Sequence, residues 1–501
     1  EAGIIRNGVF AALPDAFGIS LGYTNDPTTF KNRSTPAPST RSMACKAQTS
    51  GRIYLHSGPR TELHEIIRQE YARHQDRAVP RNTLRQAVQG MLDTFAYQNF
   101  DAAAGEYTNR CCRPPRETEM RPWRLVTEIG WTGGGVLAYP LVLCRDALGA
   151  DAEAPLAAAM SGEQLFDRIA DAYNANSGLL NDLMAPNAAG SQVNGWWTGY
   201  GLVKDCHSAY TADNAVHYLT KTMDYLHQNG KPCPAKWMDA AQKVLHTVMD
   251  LQRADGAFGY TYSTQERKVL DWSGFAGCWF APALVYLYRL TGEERCLHSA
   301  EKALDYYHTF VKDLNCYGTP MDTWKAVDEE GNLAFMRGSR LLYEQTGKAE
   351  FLQYMKDSAG YEFLWRYGYK TYPEHTPLNQ GWSACGGAVT SVSNPHIHPM
   401  GVIIDTDLRY LARVTGDGYY ASRAADSAAW MLQCLELYPA ATGYGRYGIL
   451  SERWCPSDGL DVERFSDGRP FSSWFSHNLW ASACVLEAAC ELLLEIEHKK
   501  G

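Results

Sequence analysis

The chain has 501 residues, 45% of them hydrophobic and 21% charged, with a formal net charge of −9. That composition supports a large apolar core. No cluster of Lys and Arg is present to neutralise a phosphate backbone, so nucleic acid is not an expected partner. No apolar run reaches the roughly 18 residues of a membrane-spanning helix, so no membrane partner is expected either.

Residues 1–60 are rich in Thr, Ser, Pro and Gly with short apolar alternations such as Ile53-Tyr54-Leu55. They read as a β- and loop-rich arm or domain remnant preceding a helical body over 61–501. Residue 1 is Glu and not Met, which is compatible with a signal peptide or longer leading segment having been removed. From residue 61 the apolar spacing is helical: first over 62–75, then over 81–99 with Leu84, Val88, Met91, Leu92 and Phe95 on one face. A unit then recurs, in which an apolar helix ends at a Gly, a polar turn follows and an amphipathic helix returns. The turn glycines are Gly149, Gly230, Gly292, Gly347 and Gly416, and Gly just past a helix end closes the last turn in the left-handed conformation.

Helices leading into these turns are predicted to begin near residues 125, 211, 274, 331 and 398, with a last one near 473. Returning helices are predicted at 162–174, 235–252, 293–313, 348–366 and 418–436, and helix 81–99 is left to pair with the last. This predicts an all-α fold, an (α/α)6 toroid of six hairpins behind the short N-terminal segment. Stretches such as Phe280-Ala281-Pro282-Ala283-Leu284-Val285 are apolar all round, as an inner ring requires. The N-terminal ends of the inner helices and the long connections into them form one rim, where the site is expected.

The 14 cysteines form no short even framework. Most, including Cys144, Cys278, Cys434, Cys484 and Cys490, lie in apolar helical stretches and read as core thiols. That usage tilts the expected compartment toward the cytoplasm, with periplasm and secretion left open. Cys111-Cys112 lacks a second pair at zinc spacing, so neither a metal nor another cofactor is expected. The aromatic residues are numerous, with 30 Tyr, 14 Trp and 16 Phe. Several tryptophans sit in connections: Trp196, Trp197, Trp272, Trp324, Trp382 and Trp474. A flat ring on a loop suits stacking on a pyranose, and core packing explains many aromatics equally well.

The starts of the inner helices supply Glu128 with Trp131, then His207, Tyr210 and Asp213, then Asp271-Trp272. Asp328-Glu329-Glu330 follow, then His396, His398, Asp405 and Asp407, and finally Trp474, His477 and Trp480. A carboxylate at such a position often only caps its helix. Asp405 differs, because Gly401-Val402-Ile403-Ile404 precede it and an unpaired charge in apolar surroundings is costly.

From Asp271 to Trp480 the sequence resembles the unsaturated glucuronyl and rhamnogalacturonyl hydrolases, six-hairpin enzymes that remove a terminal uronic acid. Asp271-Trp272-Ser273-Gly274-Phe275 is similar to the family's Ser-Gly-Phe hairpin. Glu330 falls where the family has its first functional Asp, and Ile403-Ile404-Asp405 falls on its acid/base Asp. Ser473-Trp474-Phe475-Ser476-His477-Asn478-Leu479-Trp480 is similar to the family's Ser-Trp-Ala-Arg-Gly-Gln-Ala-Trp. The chain departs from the pattern in having Glu for Asp at 330 and Ser-His-Asn for Arg-Gly-Gln at 476–478. Two hairpins also precede the shared stretch.

The resemblance implies a glycoside hydrolase that releases glucuronic or unsaturated uronic acid from an oligosaccharide, with Glu330 and Asp405 as its catalytic pair. His207, Tyr210, Asp271, Trp272, Arg337, His396, His398, Trp474, His477 and Trp480 are the expected substrate-binding residues. Arg340, Arg446 and Arg453 are further cations for a uronate carboxylate. A polysaccharide lyase using a Tyr210/His207 pair and a non-catalytic glycan-binding toroid are the alternative readings. Related folds also house sugar epimerases, and oligomerisation is compatible with the sequence.

Overall fold

The structure is a computed structural model. It describes residues 2–5, 8–13, 16–21, 57–58, 62–74, 77–111, 121–124, 127–131, 133–184, 192–197, 202–319, 325–370, 383–392, 394–435, 437, 448, 450–454, 473–474, 476–477 and 479–499. Ala2–Ile5, Gly8–Leu13 and Ala16–Leu21 form an antiparallel three-stranded sheet, Gly8 pairing with Leu21 and Ala2 with Ala11. Of the remainder of the expected arm, residues 22–56 lie outside the described residues.

The helical body opens with α1 (Leu63–Tyr71), α2 (Leu84–Thr94), α3 (Gly135–Leu148), α4 (Glu153–Ala158) and α5 (Gly162–Asp171). It continues with α6 (Ala209–Gln228), α7 (Ala235–Leu251), α8 (Phe280–Thr291), α9 (Glu294–Lys312) and α10 (Glu330–Thr346). The last four are α11 (Ala349–Trp365), α12 (Asp405–Thr415), α13 (Gly418–Cys434) and α14 (Leu479–His498). Helices α3, α6, α8, α10, α12 and α14 pack each on the next, and α14 packs back on α3, so the inner ring is closed. Outside them α5, α7, α9, α11 and α13 each cover the inner helix that precedes them, and α2 covers α14. The fold is therefore the expected (α/α)6 toroid, with α1 added against α11.

Sequence dictates the two layers differently. The first eight residues of α8 are all buried, whereas α5 buries only Leu165, Phe166, Ile169 and their small neighbours on one face. The five turn glycines have φ between 62° and 71°, and a Cβ there would meet nothing within 4 Å. Left-handed geometry, not crowding, selects Gly at these turns. Outer helices α2 and α5 start on capping boxes, Thr83 with Gln86 and Ser161 with Gln164.

Helix α3 starts ten residues later than the sequence pattern places it, at Gly135, because Thr127–Glu128 instead pairs with Leu183–Met184 in a small sheet. Similar short strands precede other inner helices. Cys206–Ser208 leads into α6, Val269–Asp271 precedes α8, Asn394–His398 precedes α12, and Ser476–His477 precedes α14. Cys206–Ser208 and Val269–Asp271 both pair with Thr261–Ser263, Asn394–His398 with Ala388–Ser391, and Ser476–His477 with Asn109–Cys111, so segments that the sequence presents only as loops form small sheets.

Low on the ring axis, Lys221 of α6 is 5% exposed and pairs with Glu487 and, at 2.8 Å, with Glu491, both from α14. Tyr218 donates to Glu487 at 2.8 Å and Thr406 donates to Glu491 at 2.7 Å. The Lys221 ammonium also lies 4.3 Å from the centroid of the Tyr139 ring. Removing one member of such a buried set leaves a charge without a partner. Lys221→Met is expected to cost about 3–5 kcal/mol of stability, read by urea unfolding.

Candidate functional site

Helices α6 and α10 are separated in the ring by α8, so a contact between them crosses the interior. Tyr210 and Glu330 make one: Tyr210 Oη donates to Glu330 Oε2 at 2.6 Å. Both are buried, at 4% and 5% exposure. Trp131, just before α3, meets the edge of Tyr210 at 6.0 Å between centroids and stacks on Trp480 of α14 at 5.7 Å. His398 continues the stack, 5.9 Å from Trp480 with the planes 22° apart. Tyr210, Glu330, His398 and Trp480 are thus gathered on the axis from three inner helices and the strand before a fourth. The sequence had named all four.

Asp405 lies elsewhere. Its neighbours Thr406 and Asp407 face inner-ring partners on α14 and α10. Asp405 itself accepts from Arg366 Nη1 at 2.8 Å, and Arg366 sits at the end of the outer helix α11. Arg366 also donates to Glu362 at 2.7 Å and to the Gly401 carbonyl at 2.7 Å. A Cβ on Gly401 would stand 2.4 Å from Glu329 Oε1, which brings Glu329 into the same space between the layers. Arg366 therefore serves two carboxylates, Glu362 and Asp405, with Glu329 buried beside them, and none of the four residues exceeds 3% exposure. Burial pushes Asp405 up to about 6 against the pull of Arg366. Burial, then the adjacent Glu362, pushes Glu329 well above the usual carboxylate range. Sequence pairs Glu330 with Asp405; tertiary structure puts the first on the axis and the second behind the wall.

The remaining expected residues divide by their partners. Arg337 is 3% exposed and committed to Asp407 at 2.8 Å and to the Ile403 carbonyl at 2.7 Å. Arg340 pairs with Glu344 and Asp407. His207 is fully buried with Nε2 2.9 Å from Ser177 Oγ, and burial lowers it to about 4. It lies on the strand that precedes α6 and faces Ser177 and Asp182, the latter 3.9 Å from Nδ1, and does not join Tyr210 on the axis. Asp271 pairs with Lys325 at 2.6 Å and accepts from the Ser273 amide, and the Arg253 guanidinium covers the Trp272 ring at 5.2 Å. His396, Trp474 and His477 lie on rim strands, Trp474 opposite Arg453 and His477 opposite Arg110. Their side chains lie outside the described residues, as do those of Glu128, Trp197 and Arg453. Trp324, Trp382, Arg446 and Cys112 are outside them entirely.

The sequence reading did not single out Asn214, His217, Lys221, Glu487 or Glu491. A signal was available, since Tyr210, Asn214, His217 and Lys221 recur at helical spacing, as do Trp480, Cys484, Glu487 and Glu491. A polar stripe on a helix that is otherwise buried all round has to face either partners or a cavity. A separate cleft of about 310 Å³ lies on the outer wall between α1, α11 and α13 and contains none of the expected site residues. Among the described residues no group of His, Cys, Asp and Glu is arranged to hold a metal ion, and no helix is long and apolar enough to cross a membrane.

No family model and no curated protein matches the sequence. The fold matches solved structures over most of its length. A D-mannose isomerase superposes with a TM-score of 0.52 at 11% identity, covering 82% of this chain and 97% of the isomerase. A sugar epimerase from a ruminal bacterium gives 0.51 at 10%, covering 86% and 99%. A family 76 glycoside hydrolase, a mannosidase of Bacteroides thetaiotaomicron, gives 0.50 at 14%, covering 83% and 98%. The chain therefore has the six-hairpin fold found in sugar isomerases, epimerases and glycoside hydrolases. At these identities the likeness establishes the fold and leaves the reaction to the site.

The carboxyl cluster between the layers has a consequence for stability. A carboxyl whose folded value is raised stabilises the fold fully below its unfolded value, near 4.5 for Glu329, and loses that contribution as pH rises toward the folded value. Glu329→Gln mimics the protonated form. Its melting temperature is expected to match wild type near pH 4 and to exceed it increasingly as pH rises through neutrality.

Proposed function

We propose that the chain is an exo-acting glycoside hydrolase that releases a terminal uronic acid, glucuronic or unsaturated, from an oligosaccharide, with Glu330 as the carboxyl that meets the substrate. The hydrogen bond from Tyr210 to Glu330 across the ring carries this reading. It supports a carboxyl oriented on the axis near Trp131, a half-buried ring on which a pyranose can stack, with Trp480 holding that ring from behind. Addition of water to an unsaturated uronic acid needs a group that protonates the ring double bond, a task within reach of one well-placed carboxyl. Asp405, held by Arg366, serves in this reading as a positioning group behind the inner wall. The uronic-acid element is supported by the ordered motifs of the sequence. Among the described residues Lys221, Arg337 and Arg340 are each already ion-paired.

A second reading, a sugar isomerase or epimerase, is favoured by one observation. His398 is stacked on Trp480 in the group that contains Glu330. An imidazole and a carboxyl on one axis are the pair that proton removal and return beside a carbonyl requires. The fold neighbours named above include both kinds of enzyme.

An unsaturated uronyl disaccharide, an aryl β-glucuronide and free mannose, assayed in parallel, separate the readings. Loss of ultraviolet absorbance or release of the aryl group supports the hydrolase; appearance of a ketose or epimer supports the alternative. On the active substrate, Glu330→Gln is expected to lower kcat by about a hundredfold or more. Asp405→Asn is expected to retain most turnover. If Glu330→Gln keeps wild-type kcat, the assignment of Glu330 is wrong.

A further inference from the structure

Below Tyr210 the axis-facing stripe of α6 continues through Asn214 to His217 and ends at Lys221. At about 1.5 Å per residue, His217 lies roughly 10 Å along the axis from Tyr210 and Lys221 about 16 Å. The His217 ring is 1% exposed and packs on Trp279 at 4.6 Å, with Tyr218 at 5.1 Å and Tyr286 at 5.8 Å. Its Nδ1 is buried and has no hydrogen-bond partner among the described residues, and the same holds for Trp131 Nε1 near the rim. Two unmet polar atoms thus bracket the Tyr210–Glu330 pair. A buried polar atom without a partner inside the chain is one that a ligand or water can satisfy. Under His217 the Lys221–Glu487–Glu491 set closes the ring.

We propose that His217 is a sugar-contacting residue that receives the hydroxyl-bearing end of a terminal sugar low on the axis, with Trp131 Nε1 meeting the same ligand near the rim. This inference rests on the reading of the axis as a saccharide site, and it applies to either reaction considered above. Burial, with Lys221 and Arg337 nearby, holds His217 well below the usual imidazole value, so the ring is neutral. A neutral imidazole offers one N–H and one lone pair, which suits a hydroxyl that both gives and accepts a hydrogen bond. It has no charge with which to attract a carboxylate. The carboxylate of a uronic acid is accordingly turned away from His217, toward the rim.

Calorimetric titration of the full chain with mannose and with glucuronic acid tests the assignment. Wild type is expected to bind at least one of them. His217→Phe keeps a planar ring against Trp279 and removes both nitrogens; it is expected to weaken binding about tenfold or more at an unchanged melting temperature. His217→Asn, whose amide stands near the Nδ1 position, is expected to bind within about threefold of wild type. In wild type the imidazole nitrogen resonance of His217 is expected to move on adding the sugar, a readout that does not depend on any variant folding. Unchanged affinity in His217→Phe, an unmoved resonance, or no binding of either sugar overturns the proposal. Binding lost in His217→Phe in a protein that turns over none of the three substrates overturns the hydrolase reading and upholds the contact.

Discussion

Lys221 is buried inside the ring, and a positive charge there is tolerable only beside fixed negative ones. Glu487 and Glu491 supply them from α14, and Tyr218, Tyr139 and Thr406 supply the remaining hydrogen-bonding and cation–π partners. Helix α14 is the last inner helix and α6 the second, so the ion pairs join distant parts of the chain around α3. These contacts fix the rotations of α6 and α14 about their axes, because a buried ammonium displaced from both carboxylates is far costlier than a misplaced methyl group. The same rotation that aims Lys221 at Glu487 aims Tyr210, eleven residues earlier on the same stripe, at Glu330.

The site is in this sense a by-product of the axis. Rotating α6 for Lys221 delivers Tyr210, Asn214 and His217 to one line. Rotating α14 for Glu487 and Glu491 delivers Trp480 to the face of Trp131. Helix α10 contributes Glu330 at its first turn and Arg337 two turns on. The first of these meets Tyr210, while the second is consumed by Asp407. The upper axis therefore holds an acid and aromatic faces, and the lower axis holds compensated charge.

A second polar layer lies between the two rings of helices, and it separates what sequence can rank from what it cannot. Glu329 and Glu330 are adjacent and both buried, yet one faces outward to Glu362 and Arg366 and the other inward to Tyr210. A 100° step along the helix decides between them. Asp405 showed in sequence as a carboxylate in apolar surroundings, which burial accounts for. Arg366, 39 residues away at the end of an outer helix, decides which side of the wall the carboxylate occupies. His207 and Tyr210 likewise sit three residues apart, and only Tyr210 reaches the axis.

Sequence alone determined the number of hairpins, the positions of the turn glycines, the inner or outer rank of each helix and the pairing of α2 with α14. These depend on local periodicity, on the φ that Gly tolerates, and on how much of each helix is apolar, all properties of contiguous residues. It also located Tyr210, Glu330, His398 and Trp480 at the starts of inner helices. Tertiary structure alone decided the short sheets that lead into the ring, the commitment of Arg337 to Asp407, the place of Asp405 behind the wall, and the descent of the α6 stripe to His217. Each of these turns on which way a side chain points when two helices far apart in the chain are brought together, and no stretch of sequence carries that rotation by itself.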